Sequence, residues 1–490
     1  MWSIALGFAL VLASFLLVGH IASRRRQKTT DDYLLAGRQT HPWLVGFAAA
    51  SANSSGFMFI GLIGATVIDG VSAMWLMVGW IVGDYLAWLV IHRRLRERSE
   101  QLRAQSVAGY VSAGYSGEVS AVRMASAALT FVFLGTYAAA QFTAGSKGTE
   151  ALLGWPHWVG ILVGFGVLML YCFAGGLRAS IWVNTAQSIV MIGSSTMLLG
   201  VALAEIGGFG ELWSRLEVLN PKFIEWQPRE LRFGFAAFLA SWITAGIGVI
   251  GQPHVMIIAM TINSSESMHR ARRVYFVWYW FFSAACILIG LCCRVLLNDL
   301  VQSGFDPEMA LPRLASDLLP PVLVGVVLGS LFAATLGGLD TQILCVSSAL
   351  SLDLIPRIGR SYTGTKFSVL VTAILVLLTA LFGPRSVFEL VVLSWSCLAA
   401  GIGPILAAQT LRWPLNDVVG SAMILAGVGT ALYWRYGLDL SGSIYEVLPG
   451  MLAGFATYGL IRLCVPDSKI SAPESSADLA AFPRDGGWRG

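Results

Sequence analysis

The chain has 490 residues, of which 56% are hydrophobic and 12% charged, and its formal net charge is +4. Soluble domains carry about 25% charged residues, so this composition excludes a water-soluble globular protein and points to a polytopic membrane protein with little mass outside the bilayer. The basic runs are short and sit beside apolar segments, as orientation signals do, which excludes a nucleic-acid-binding surface.

Apolar segments of about 20 residues, the length of one helical crossing, recur along the chain. They lie at 3–22, 43–68, 71–92, 122–145, 156–174, 181–204, 233–261, 274–297, 321–350, 366–383, 386–410, 416–434 and 443–462. They predict an all-α protein of about thirteen transmembrane helices. The first run is followed by Arg24, Arg25 and Arg26 and preceded by no basic residue, the reverse of a secretory signal. When the spans alternate, the clusters Arg93 to Arg103, Arg270 to Arg273 and Arg357 with Arg360 fall on that same side. The positive-inside rule then places the N-terminus outside and the C-terminus in the cytoplasm of a multi-pass inner-membrane protein. The connection 205–232 carries Trp213 and Trp226 and reads as an interfacial helix on the outer side. Residues 465–490, rich in Ser, Ala, Pro and charge, read as a disordered cytoplasmic tail. The seven cysteines have no paired spacing, so neither a disulfide framework nor a zinc site is expected.

Two spans break their own pattern. The second places Asn53, Ser54, Ser55 and Gly56 near the middle of an apolar run, where polar groups and irregular backbone survive only beside a cavity or inside protein. The seventh holds Gly246, Gly248 and Gly251 followed by Gln252, Pro253 and His254, a run that a continuous helix does not tolerate. Its Gly-x-Gly-x-x-Gly spacing is no dinucleotide fingerprint, since no strand precedes it. The spans are second and seventh, so they run in opposite directions. Inverted repeats with interrupted helices meeting at a central solute site have this arrangement.

These residues resemble the sodium:solute symporter family, and within it the proline-permease branch. Asp32-Tyr33-Leu34-Leu35-Ala36-Gly37-Arg38 resembles the motif leading into the first core helix, and Ser55-Gly56 with Gly61, Leu62, Gly64 and Ala65 resembles that helix. Gly175-Gly176-Leu177-Arg178-Ala179 with Trp182 is similar to the turn into the fifth core helix, and Gly251-Gln252-Pro253-His254 to the sixth. Leu339-Asp340-Thr341-Gln342 with Ser347-Ser348 is similar to the eighth, and Trp395 with Gly401-Ile402-Gly403-Pro404 to the tenth. The resemblance implies a ten-helix core of two inverted five-helix repeats, one extra helix before it and two after. On this chain that means an extra helix and cytoplasmic loop at 1–42, repeats at 43–204 and 233–410 separated by the outer loop 205–232, two further helices at 411–464, and the tail 465–490. It implies a secondary active symporter that moves a small polar organic solute, such as an amino acid or carboxylate, across the membrane by alternating access.

The resemblance also assigns residues. Solute-binding candidates are Asn53, Ser54, Ser55, Gly56, Trp242, Ala245, Val249, Gln252 and His254. Ion-coupling candidates are Ser51, Ser54, Ala334, Gly337, Gly338, Asp340 and Thr341. Several depart from the pattern. The sodium site of the family uses backbone carbonyls and a Ser/Thr pair on the eighth core helix, where this chain has Gly337 and Gly338. Proline-type members carry an aspartate where this chain has Asn53, and another common aspartate is Asn184 here. Ala245 and Val249 stand where proline-type members have aromatic residues, which predicts a larger or differently shaped pocket. The sodium site is therefore expected to be degraded, with sodium or a proton as the coupling ion and no other cofactor. Asp340 reads either as a structural carboxylate capped by hydroxyls or as a proton-coupling site. Asp84 reads as an interfacial acid near the cytoplasmic end of its span, paired with a basic residue such as Arg93. Trp75, Trp80, Trp88 and Trp395 read mainly as packing or interface anchors.

A proton-coupled or uncoupled transporter, or a membrane solute sensor acting through a separate partner, are the alternatives. An enzyme is not expected, because no His/Glu metal pair, nucleophile elbow or cluster of catalytic acids is present.

Overall fold

The computed structural model describes residues 2–115, 120–229, 231–299, 304–384 and 386–464. The expected tail at 465–490 lies outside the described residues. In a bilayer every backbone N–H and C=O must be satisfied within the chain, which leaves the helix as the element for segments this apolar. Among the described residues the chain is helical with no strands, and eleven helical stretches are long and apolar enough to cross a membrane. The two longest, Pro42–Gln101 and His157–Ile206, hold 60 and 50 residues. At 1.5 Å per residue each is more than twice the length needed to cross a core of about 30 Å. Each is interrupted by a glycine with positive φ, Gly70 at 68° and Gly176 at 58°. Each is thus long enough for two crossings.

The elements that position the site are α1 (Trp2–Ser23), α2 (Pro42–Phe57), α3 (Met74–Ala87), α4 (Gly135–Leu153), α5 (Ala174–Ile206), α6 (Gly234–Ile247), α7 (Pro253–Met260), α8 (Met268–Leu296), α9 (Pro321–Ser348), α10 (Val387–Thr410) and α11 (Val447–Cys464). Lipid tails are as apolar as the helices, so burial does not drive helix pairing in a membrane; close backbone approach at small residues does. The extra helix α1 lies on α9 this way. A Cβ on Gly7 would stand 2.1 Å from the Val322 carbonyl oxygen, and one on Gly325 2.1 Å from that of Ile4. Helices α3 and α6 meet likewise, with a Cβ on Gly83 falling 1.8 Å from Ile243 O and one on Gly246 falling 2.0 Å from Trp80 O.

Polar ties close one end of the bundle. Thr40, just before α2, bonds through its backbone to Thr261 and Asn263, just after α7, both at 3.0 Å. Arg38 donates to Ser99 Oγ, Met260 O and Ala104 O. Asp32, almost fully buried, pairs with Arg178. These ties fix the start of the first broken span against the end of the second. At the other end a helix, Phe209–Leu219, occupies the 205–232 connection, with Trp213 and Trp226 exposed. All seven cysteines are free.

Replacing Gly246 with Val inserts a branched side chain where a backbone oxygen already sits. Overpacking of this kind costs about 1–3 kcal/mol. We expect a lower thermal unfolding midpoint and a broadened size-exclusion peak in detergent. The control Gly429→Ala, whose Cβ meets nothing within 4 Å, leaves both unchanged.

Candidate functional site: a closed cavity between two helix breaks

Helix α2 breaks at Ser55, whose backbone is at φ 46° and ψ 177°. Positive φ on a β-substituted residue is strained by about 1–3 kcal/mol and persists only where neighbours enforce it. The neighbours here are polar groups from α4. Gln141 Oε1 accepts the freed Gly56 N–H at 2.9 Å, and the Tyr137 hydroxyl bonds to the Ser55 side chain. Ser55 Oγ itself accepts the Phe57 N–H at 3.2 Å. A π-helical turn, Met58–Leu62, follows.

The second break runs from the 3-10 turn Gly248–Gly251 to Gln252, which is extended at φ -95° and ψ 102° before Pro253 restarts the helix as α7. Trp395 of α10 clasps it on both sides. Its indole N–H donates to Ala245 O at 3.2 Å, and its carbonyl accepts Gln252 Nε2 at 3.1 Å. Gly251 lets α10 come this close, since a Cβ there would stand 2.6 Å from Leu398 O.

Between the breaks lies a cavity of about 30 Å³. Asn53, Ser55 and Trp242 line it, as expected for solute-binding residues. Ser54 and Gly56 belong to the break but face elsewhere: Ser54 Oγ bonds back to Ala50 O at 2.6 Å. Ala245 contributes its carbonyl to Trp395 and Val249 is buried packing. Gln252 braces the second break. His254 stands behind the wall, its ring 5.7 Å from that of Tyr137 and both its nitrogens without a hydrogen-bond partner.

The rest of the lining was not anticipated as such. Trp80, Trp395 and Tyr445 form an aromatic wall with Trp242, and Tyr137 and Tyr279 add hydroxyls. The Trp80 and Trp395 rings lie tilted with centroids 4.4 Å apart, and Trp242 and Tyr445 stack at 5.2 Å. The aromatic rings of that wall, three of them from outside α6, thus shape the pocket beside the small residues at 245 and 249. Trp80 and Trp395 are cavity wall rather than anchors. Among the described residues no charged side chain lines the cavity.

The ion-coupling candidates gather where α2, α5 and α9 meet. Asp340 is fully buried. Its carboxylate accepts from Thr341 N–H at 2.5 Å, Thr341 Oγ1 at 3.0 Å, Tyr171 OH at 3.1 Å and Asn184 Nδ2 at 3.4 Å. Ser180 bonds Thr341 Oγ1 at 3.1 Å. One turn earlier on α9, a Cβ on Gly337 would fall 2.3 Å from Ser51 Oγ and 3.0 Å from Gln187 Oε1, and one on Gly338 3.2 Å from the Ala52 carbonyl oxygen. Ser51 Oγ and Gln187 Oε1 are buried without a hydrogen-bond partner. The Ser51 hydroxyl, the Gln187 amide oxygen and the Ala52 carbonyl therefore stand close to where side chains at 337 and 338 would be, and oxygens are the ligands that hard cations take. Ala334 packs one turn before them. Sequence reasoning missed Gln187, which no motif marks.

Asp84 is not where its sequence position suggested. It is fully buried and far from a charge partner: Arg93 pairs with Glu97 instead, at 3.0 Å. Asp84 Oδ2 accepts from Tyr275 OH at 2.5 Å and Asn53 Nδ2 at 3.3 Å.

Two oppositely placed helix breaks facing one small cavity, in a bundle of inverted repeats, define a secondary transporter. Comparison with known proteins gives the family. The model of the sodium:solute symporter family matches residues 33–413, and the chain belongs to that family. It is 28% identical to the sodium/proline symporter of Escherichia coli (strain K12) over 459 residues, covering 91% of this chain and 90% of that protein. It is 27% identical to the high-affinity proline transporter PutP of Bacillus subtilis (strain 168), covering 91% of this chain and 95% of that one. Among solved structures, a Na+-coupled sialic acid symporter in a substrate-bound outward-open state shares the fold at a TM-score of 0.78 and 17% identity, covering 94% of this chain and 98% of that one. The chain is thus a membrane symporter and not an enzyme.

Gln141→Leu keeps the volume of the side chain and removes the acceptor of the Gly56 N–H. A buried donor left without a partner costs about 1–3 kcal/mol. We expect a lowered thermal midpoint for Gln141→Leu and a smaller loss for Gln141→Glu, which retains an acceptor. Equal midpoints for the two variants would show that the break does not depend on this bond.

Proposed function

We propose that this chain couples inward sodium movement to uptake of a small zwitterionic solute, an amino or imino acid, across the inner membrane. The observation that carries the solute class is the cavity wall. It offers no charged side chain, yet it is bounded by a helix break whose carbonyl end and amide end lie on opposite sides of Ser55. Partial charges of both signs at such ends suit a solute carrying both an ammonium and a carboxylate. Asn53, the tyrosine hydroxyls and the unpartnered Trp80 N–H supply hydrogen bonds, and the tryptophan rings enclose the apolar part. The relatives named above, which are proline transporters, support the same class.

Sodium sits, in this reading, among Ser51 Oγ, Gln187 Oε1 and the Ala52 carbonyl. The expectation of a degraded site arose from the side chains missing at 337 and 338. The proposed site takes its oxygens from across the helix interface: Ser51 Oγ points to where a side chain at 337 would stand. Asp340, capped by Thr341, Tyr171 and Asn184, provides negative charge nearby. The face bearing 205–232 is the outer one, in keeping with the basic clusters at the opposite end.

The test is uptake of L-[3H]proline and a panel of other amino acids into proteoliposomes under an imposed sodium gradient. Accumulation that needs the gradient is expected. Gly337→Ser alone should clash with Ser51 and raise the sodium concentration needed for half-maximal uptake. Ser51→Ala alone should raise it too, by about tenfold for a lost hydrogen-bonding ligand to a charge. The double variant should recover, because contacting residues couple by about 0.5–3 kcal/mol. Additive losses in the double variant, or uptake indifferent to sodium, would sink this placement of the ion.

A further inference from the structure

We infer that Asp84 is a proton-binding site whose state sets the orientation of the Asn53 amide in the cavity wall. The inference rests on the reading of that cavity as the solute site. Asp84 lies on α3, is fully shielded from solvent, and forms a closed group with Asn53 of α2 and Tyr275 of α8. Tyr275 OH donates to Asp84 Oδ2 and accepts from Asn53 Nδ2, both at 2.5 Å. Two acceptors in the group are left over: Asp84 Oδ1 and Asn53 Oδ1 are both buried without a partner. Buried polar atoms of this kind call for a missing donor.

The missing donor is a proton rather than a metal ion. Tyr275 OH and Asn53 Nδ2 already aim their hydrogens at Asp84 Oδ2, so a cation there would meet donors rather than lone pairs. The surroundings are rings: Trp88 lies 4.9 Å from the Tyr275 ring, with Phe276 at 4.8 Å and Tyr279 at 5.3 Å. The titratable and charged groups on the packed elements are few. On its own helix and the turn that extends it stand His92, stacked on Trp88 at 4.2 Å, and Arg96, which bonds Ile262 O and Glu100. Helix α8 contributes Tyr275, Tyr279 and Arg272, the last lying over the Tyr85 ring. Helices α2 and α6 contribute none. None of these cations bonds the Asp84 carboxylate, and an isolated ionised carboxylate in such a place takes up a proton instead.

The exchange is simple to balance. With Asp84 ionised, Oδ2 accepts from both Tyr275 OH and Asn53 Nδ2. On taking a proton it becomes a donor, and the Asn53 amide turns to present Oδ1 to it. Because Asn53 also lines the cavity, the turn exchanges which amide atom is engaged and which is left for solute. Solute and proton then influence each other's binding reciprocally.

The test uses the full chain in lipid and two readouts. Infrared spectra should show a protonated-carboxyl band that is absent from Asp84→Asn and retained in Asp340→Asn. The apparent affinity for L-[3H]proline at saturating sodium should change about fivefold or more between mildly acidic and mildly alkaline buffer. It should be flat in Asp84→Asn. Tyr275→Phe keeps the carboxyl band while weakening the affinity change, which a merely structural Asp84 would not produce. The proposal is overturned by a band that survives Asp84→Asn, or by an unaltered pH profile in that variant. If L-proline does not bind at any pH, the imino-acid reading of the cavity falls and the carboxyl band alone decides the state of Asp84.

Discussion

The rest of this structure depends on the bonding of backbone that leaves the helix inside a membrane. Hydrocarbon offers no partner for a freed N–H or C=O, so each break must be met by a specific side chain. Gln141 meets the first through the Gly56 N–H, and Trp395 meets the second through Ala245 O and Gln252. Both come from helices outside the broken pair. The cavity therefore cannot be assigned to α2 and α6 alone; it exists because α4 and α10 hold the two gaps open. Strain at Ser55 and glycine close approach at Gly251 follow from the same constraint.

A second regularity concerns polar groups that face each other across helices. Where the family resemblance leads one to expect an aspartate at 53, the chain has an amide, and a carboxylate stands 3.3 Å away on α3. Where one is expected at 184, the chain has an amide, and Asp340 stands 3.4 Å away on α9. Where a hydroxyl is expected at 337, the chain has glycine, and the Ser51 hydroxyl fills the space. In each case a polar group on a facing helix stands beside the residue that departs from the pattern. A site is defined by the positions of its oxygens and charges, and the fold lets either of two facing helices supply them.

This explains what the sequence disclosed and what it withheld. Spans and breaks were legible because hydropathy, glycine and proline act locally: the gaps at Asn53–Gly56 and Gly246–Pro253 could be located from residue types alone. The family followed from motifs in order. The partners were not legible. In a membrane nearly every helix face is apolar, so periodicity does not reveal which face meets which neighbour. Asp84 was read beside Arg93 because they are near in sequence; its true partners, Asn53 and Tyr275, are 31 and 191 residues away. The small residues at Ala245 and Val249 suggested empty space, since nothing in the chain announced that Trp80, Trp395 and Tyr445 would converge there. Gln187, with no motif around it, could be found only from its unpartnered oxygen.

The size of the cavity carries a last consequence. At about 30 Å³ it is far smaller than the cavity of about 480 Å³ on the other side of Trp242 and Tyr445. Those two rings stack on each other and line both cavities. Tyr445 is not free to swing alone. Its hydroxyl donates to Val392 O, and its neighbour Glu446 is tied to Arg435 and Ser396. Moving the ring therefore means moving the start of α11 against α10. The segment leading into α11 thus joins α6 and α10 in forming the wall between the two cavities.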